Sequence, residues 1–301
     1  LVLLSVGLLA CGRDVEPLPT FPDASPIVDE RIPIPAPDPK YIDLVTPEEV
    51  LQSGEEKMFC YHIENDVADV AIDYLQAMQG NGGHHLALFT TTDPKPAGTL
   101  EDCTSPEANA KLQWFVLTFN PFPAGLAIHV PLGMHYVLQF HYINATDNPI
   151  LVRDVARLER VDMASVTTWV STLISTDINL TLPPGPTKIS WDCQVDQDRD
   201  LLALCGHMHE MGQRFTVDIG PSVDALTNIY TVDPWQAQFR DNPPLNPYYD
   251  HPIHLAAGSV IRTTCEWENT RDTTLLFPQE MCTTFSYSGG PQQSFQCSPA
   301  H

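Results

Sequence analysis

The residues best suited to chemistry in this sequence are histidines, and five of the eleven sit in patterns that could hold a metal ion. His207-Met208-His209 follows the apolar run 201–204. Side chains two apart on a strand share a face, so both imidazoles could converge on one ion while Met208 points away. The alternative is a pair of ordinary exposed histidines. His84-His85 stands between the turn Gly80-Asn81-Gly82-Gly83 and a strand-like run at 86–92. Neighbours on a strand point to opposite faces, so these two reach one ion only if the backbone bends there, as the preceding glycines permit. A solvated turn is the other reading. His141 lies within Val137-Leu138-Gln139-Phe140-His141-Tyr142 and shares a face with Gln139 and Val137. Taken alone, it reads as a satisfied core histidine. Met281, in Pro278-Gln279-Glu280-Met281-Cys282, reads alone as a packing residue.

The elements that must position these residues are nearly all β. Runs at 67–74, 86–92, 114–119, 136–143, 201–205, 215–219 and 259–267 are rich in β-branched and aromatic residues. Turn clusters such as Asp147-Asn148-Pro149 and Pro183-Pro184-Gly185-Pro186 separate such runs. A short helix is expected over 47–53, with Thr46 as N-cap and Glu49 three residues on. Many short strands predict an all-β fold of two tandem antiparallel β-sandwiches, a 41–162 domain and a 163–301 domain, with the seam near 161–164. No heptad, solenoid period or glycine-rich phosphate loop is present.

Charge narrows the function classes. Against 38 acidic residues stand 15 lysines and arginines, a formal charge of −23, and that field repels nucleic acid. At the N-terminus, residues 1–10 form an apolar run too short to span a bilayer and of the length of a signal-peptide core. It ends Leu8-Leu9-Ala10-Cys11, which resembles a bacterial lipobox, so residues 1–11 read as a signal remnant with Cys11 as the lipidated residue. Gly12 follows rather than an aspartate, which favours an outer-membrane tether, the membrane being met only through that lipid. Residues 12–40 include eight prolines and read as a semi-rigid linker. Export places the other seven cysteines in an oxidising compartment, where pairing leaves one over.

Taken together and in order, the fragments resemble the copper type II, ascorbate-dependent monooxygenases, the group that includes the peptidylglycine α-hydroxylating and dopamine β-hydroxylating enzymes. That pattern runs His-His before an apolar strand, Gln-x-His-Tyr, His-x-His and Glu-Met-Cys. The chain has His84-His85, Gln139-Phe140-His141-Tyr142, His207-Met208-His209 and Glu280-Met281-Cys282. The resemblance covers residues 41–301 and implies jelly-roll-like sandwiches with a cleft between them. It also implies two copper ions, one on His84, His85 and His141 that stores an electron, and one on His207, His209 and Met281 where oxygen is handled. Dioxygen and an external one-electron reductant such as ascorbate are the implied partners. Soft thioether beside imidazole suits copper better than zinc or magnesium. A copper-binding or storage lipoprotein without turnover is the alternative, but storage would not require two dissimilar sites.

Matching cysteines by context, the resemblance implies the pairs Cys60–Cys103, Cys193–Cys297 and Cys265–Cys282, which leaves Cys205. In the peptide-amidating member an arginine, an asparagine and a tyrosine hold the substrate carboxylate. Cys205, Thr283 and Phe285 stand at those positions here. None offers an arginine fork, so the expected pocket suits a neutral or apolar substrate rather than peptidylglycine. Cys205, two residues before His207, has a second reading as a small buried hydrophobe below the metal.

Overall fold

The structure is a computed structural model that describes residues 26–66, 68–117 and 121–299. The signal remnant with Cys11, and the linker up to residue 25, lie outside the described residues. Strands form where the β-branched and aromatic runs predict them, at Val70–Met78, Gly83–Thr91, Leu112–Val116, His135–Ile143, Arg199–His207, Gly212–Gly220 and Val260–Asn269. The only α-helix among the described residues is the single turn Pro106–Asn109. The fold is an all-β sandwich arrangement.

In the N-terminal half a five-stranded sheet runs in the order Leu100–Asp102, Glu56–Glu64, His135–Ile143, Gly83–Thr91, Leu112–Val116. In the C-terminal half a four-stranded sheet holds Gly185–Gln194, Val260–Asn269, Gly212–Gly220 and Thr227–Val232. One long sheet packs against both. Its N-terminal strands Val70–Met78 and Val155–Val161 send Ile72, Leu75 and Leu158 into a core shared with Phe59, Leu88 and Phe140 of the five-stranded sheet. Its C-terminal strands Thr168–Thr176 and Arg199–His207 send Leu173, Leu201 and Leu204 against Trp191, Phe215 and Ile261 of the four-stranded sheet.

The alternate residues of those C-terminal strands do not face water. Val170, Ile174, Leu202 and Cys205, with Phe285 and Tyr287 of Thr283–Gly289, join the core of the N-terminal half. A sheet covered on both faces needs apolar residues at consecutive positions, which is why 201–205 reads as an unbroken apolar run. The halves are also stitched through the backbone. Thr168 and Trp169 pair in parallel with Leu126 and Ala127. The Tyr287 hydroxyl accepts from the Leu117 N–H at 2.6 Å and donates to the Leu117 carbonyl at 2.8 Å.

Residues 47–53 do not form the expected helix. Glu49–Leu51 is a strand paired with Ile150–Val152, and Leu51 is fully buried. Thr46 is not an N-cap either: its hydroxyl accepts from the Asp154 N–H at 2.8 Å. A three-residue capping pattern favours helix only locally, and here cross-strand pairing and the burial of Leu51 outweigh it. The described part of the proline-rich stretch is docked on the same sheet, with Val28–Asp29 pairing in parallel with Ile150–Leu151 as an edge strand. An edge position tolerates nearby prolines because its outer backbone groups need no partner.

Three disulfides are present, Cys60–Cys103, Cys193–Cys297 and Cys265–Cys282. Cys205 is free and fully buried.

Candidate metal centres

His141 stands near the end of the central strand of the five-stranded sheet, opposite Met58 on one side and His85 on the other. The register then slips. His141 pairs with His85 but Tyr142 pairs with Gly83, so His84 is the extra residue of a β-bulge. A bulge turns two successive side chains toward one side of a sheet, which is the bend that adjacent histidines require. Gly82 makes it possible: its φ is +83°, and a Cβ there would lie 3.0 Å from the Ile143 carbonyl oxygen.

The bulge gathers His84, His85 and His141, with one ring nitrogen from each lying within 4.8 Å of the others. The Nδ1 atoms of His84 and His85 are 3.3 Å apart. The Nε2 of His85 meets the side-chain Oε1 of Gln139 at 3.0 Å and so carries the proton, which leaves Nδ1 with its lone pair. Gln139 is itself fixed, donating to Asn109 Oδ1 at 2.9 Å. The Nε2 of His141 meets Glu56 Oε1 at 3.0 Å, and its Nδ1 is buried with no hydrogen-bond partner. An orphaned buried nitrogen is costly unless something binds it. Three imidazoles, two of them oriented by an oxygen acceptor on the far nitrogen, make the usual environment of a metal-binding histidine set.

The second group is built at the end of Arg199–His207. The rings of His207 and His209 lie 5.1 Å apart at 87°, while Met208 is fully buried in the C-terminal core. The Nδ1 of His209 donates to the Gln279 carbonyl at 3.0 Å, leaving Nε2 free to ligate. Cys205 pairs with Phe285 and His207 with Thr283. Past the strand end, His209 bonds the Gln279 carbonyl and the Glu280 carboxylate, and so lies against the segment that leads into Met281. Met281 is half-buried between two anchors, the disulfide-bonded Cys282 and the buried Glu280. Glu280 accepts three N–H groups, from His209 at 3.1 Å, Met211 at 2.8 Å and the Trp267 indole at 3.2 Å. A thioether is a weak ligand, and rigid neighbours are what hold one in place.

His84, His85, His141 and His207 are set toward the neutral form. Burial holds His85 down at about 4, although part of its ring surface is open, and holds His207 down at about 3. Burial also lowers His84 and His141, with Glu56 pulling partly the other way at His141. After burial, the neighbouring His209 and then Arg240 add to the depression at His207. His85 and His207 keep their lone pairs at pH 5.5, where ordinary histidines with values of about 6.5 would be mostly protonated, and the shifts at His84 and His141 act in the same direction. Affinity of the three-histidine group for added Cu(II) should therefore fall less between pH 7.5 and 5.5 than that of three ordinary imidazoles, as read by competition with a chromophoric chelator. Three unperturbed rings would lose about tenfold each. The unfolded chain protonates these rings near pH 6.5 while the folded chain resists, so the same shifts erode stability as pH falls from about 6.5 toward 4.

Of the three expected pocket residues, Phe285 sets its ring against the histidines, 5.6 Å from that of His207 and 5.0 Å from that of Trp114. Thr283 is fully buried and its hydroxyl bonds Thr176 at 2.7 Å. Cys205 is buried among apolar residues, and that burial pushes its thiol far above the usual range. It is a small core residue and not a reactive thiolate. The sequence did not reveal Glu56 as part of either group, and it showed Glu280 only as a member of the Glu280-Met281-Cys282 fragment, without a role. His62, which also lacked a motif, is buried and spends both nitrogens on Glu101 and His135.

No family model matches the chain, and no curated protein matches it. Among solved structures the chain is similar to "Structure of infectious bursal disease virus Gx strain", at 11% identity and a TM-score of 0.23, over 82% of this chain and 69% of that one.

Proposed function

We propose that the chain is a copper-dependent monooxygenase that hydroxylates a C–H bond with dioxygen and an external one-electron reductant such as ascorbate, as its resemblance to the copper type II monooxygenases implies. The observation that carries this reading is the bulge-built trio His84, His85 and His141, with its paired Nδ1 atoms and the orphaned Nδ1 of His141. The donor types fit copper at both groups: three imidazoles at one, and at the other two imidazoles with the half-buried thioether of Met281 as the expected third donor. When bound there, copper supplies one-electron chemistry toward dioxygen and the substrate C–H bond.

The residues of this chain do the rest. Gln139 and Glu56 orient His85 and His141 and raise their basicity as ligands. The Gln279 carbonyl fixes the tautomer of His209, and Glu280 holds its backbone. The phenyl ring of Phe285 beside His207, with Cys205 and Thr283 withdrawn into the core, favours a neutral or apolar substrate over a carboxylate. The three disulfides accord with an oxidising compartment, as the proposed export of a lipid-anchored protein requires.

A copper-storage protein without turnover is the rival, and oxygen consumption separates the two. Copper-loaded wild type with ascorbate and a panel of C–H substrates should consume oxygen in a reductant- and substrate-dependent way, and Met281→Ile and His207→Ala should each lose at least about 100-fold of that rate. Wild type that binds copper yet shows no substrate-dependent uptake would hand the reading to storage.

A further inference from the structure

The three-histidine group depends on how two segments sit relative to each other: the turn and bulge 79–85, and the strand end His141–Tyr142. Tyr142 follows His141, so its side chain points to the opposite face of the sheet, into the sandwich, where it is fully buried. There it meets Asp154, also fully buried, which leads into the strand Val155–Val161 of the opposing sheet. The Tyr142 hydroxyl donates to Asp154 Oδ1. The other carboxylate oxygen accepts from Gln79 Nε2 at 2.9 Å. The Tyr142 oxygen accepts in turn from the Gly80 N–H at 3.2 Å. Asp154 is held from behind by Thr46, whose hydroxyl takes its N–H at 2.8 Å and whose N–H donates to its carbonyl at 3.0 Å.

One carboxylate thus grips the residue beside His141 and the start of the turn that carries His84 and His85, and it does so from the facing sheet. A carboxyl in an apolar core is a costly way to gain stability, because desolvation opposes its charge; burial holds Asp154 up at about 6. Its contacts bracket the register slip that turns both His84 and His85 toward His141. We infer that Asp154 is a positioning residue for the three-histidine metal site, acting through Tyr142 and through Gln79–Gly80. This rests on the reading that the three histidines bind copper, and it does not require turnover.

The test reads that site alone by working in a His207→Ala background. Cu(II) affinity is measured by chelator competition, with the EPR spectrum and the melting temperature with and without Cu(II), for Asp154→Asn and Tyr142→Phe. Both should weaken binding by about 10–100-fold, the usual cost of losing an outer-sphere partner, should alter the EPR spectrum, and should shrink the rise in melting temperature that Cu(II) confers. Gln79→Ala removes only the half-buried partner and carries the test if Asp154→Asn does not fold; several-fold weaker binding is expected. Variants that melt lower without metal but bind Cu(II) as tightly, with an unchanged spectrum, would reduce Asp154 to a structural residue and overturn the inference. A background protein that binds no Cu(II) at all overturns both this inference and the copper reading, whereas copper binding without oxygen consumption overturns only the latter's catalytic part.

Discussion

Replacing His141 with alanine should cost the three-histidine group at least about 100-fold in copper affinity, more than the loss of an outer-sphere partner. Total copper should fall toward the amount held by His207, His209 and Met281, as measured by metal analysis after dialysis against a weak chelator. His141 supplies the one buried nitrogen of the trio that has no other partner. The protein without metal should lose little, because an unpaired buried nitrogen already carries a penalty of about 1–3 kcal/mol that the substitution removes. Stability should therefore fall mainly in the metal-loaded state. Unchanged copper stoichiometry in His141→Ala would remove the residue from the site.

Glu280→Leu should produce the largest loss of stability in the C-terminal half, about 3–5 kcal/mol in urea denaturation. Glu280 is 1% exposed and its two oxygens serve three N–H groups on two different segments, 209–211 and Trp267. Leucine fills much of the volume but leaves those donors buried and unpaired. Glu280→Gln keeps one acceptor oxygen and should cost less than half as much. Because the same carboxyl anchors the backbone of His209 and precedes Met281 in the chain, Glu280→Leu should also lose copper at the second group while the three-histidine group stays filled. A loss below about 1 kcal/mol would show that water or another acceptor replaces the carboxyl.

How much of this was legible in the sequence depends on the distance over which each residue acts. His207 and His209 follow from period-two alternation, and the structure brings their rings together. The His84-His85 pair was legible only as a condition, a bend at glycines. The slip that satisfies the condition belongs to the partner strand, since it appears when Tyr142 pairs with Gly83. Glu56 was illegible for the same reason, and Glu280 was legible only as a motif residue without a role. An isolated acid in a strand-like stretch gains meaning only once the strand opposite is known, as when Glu56 pairs with Ile143, two positions from the partner of His141. The expected helix at 47–53 failed in the converse way: its cap signal was real, but the competing strand at 150–152 lies a hundred residues away. The three disulfide pairs came from matched context, not from spacing, and all three are present.

The long sheet has a consequence for how the molecule can be taken apart. Val170, Leu202, Cys205, Phe285 and Tyr287 come from the C-terminal half yet complete the N-terminal core, and Tyr287 closes the backbone of Leu117. Cleavage near residue 165 would strip the first half of part of its interior and leave the second with an apolar sheet face open to water. The halves are therefore not exchangeable modules. Neither set of histidines could be transplanted with its own half alone, and the spacing between the two sets is a property inherited from the common sheet at folding.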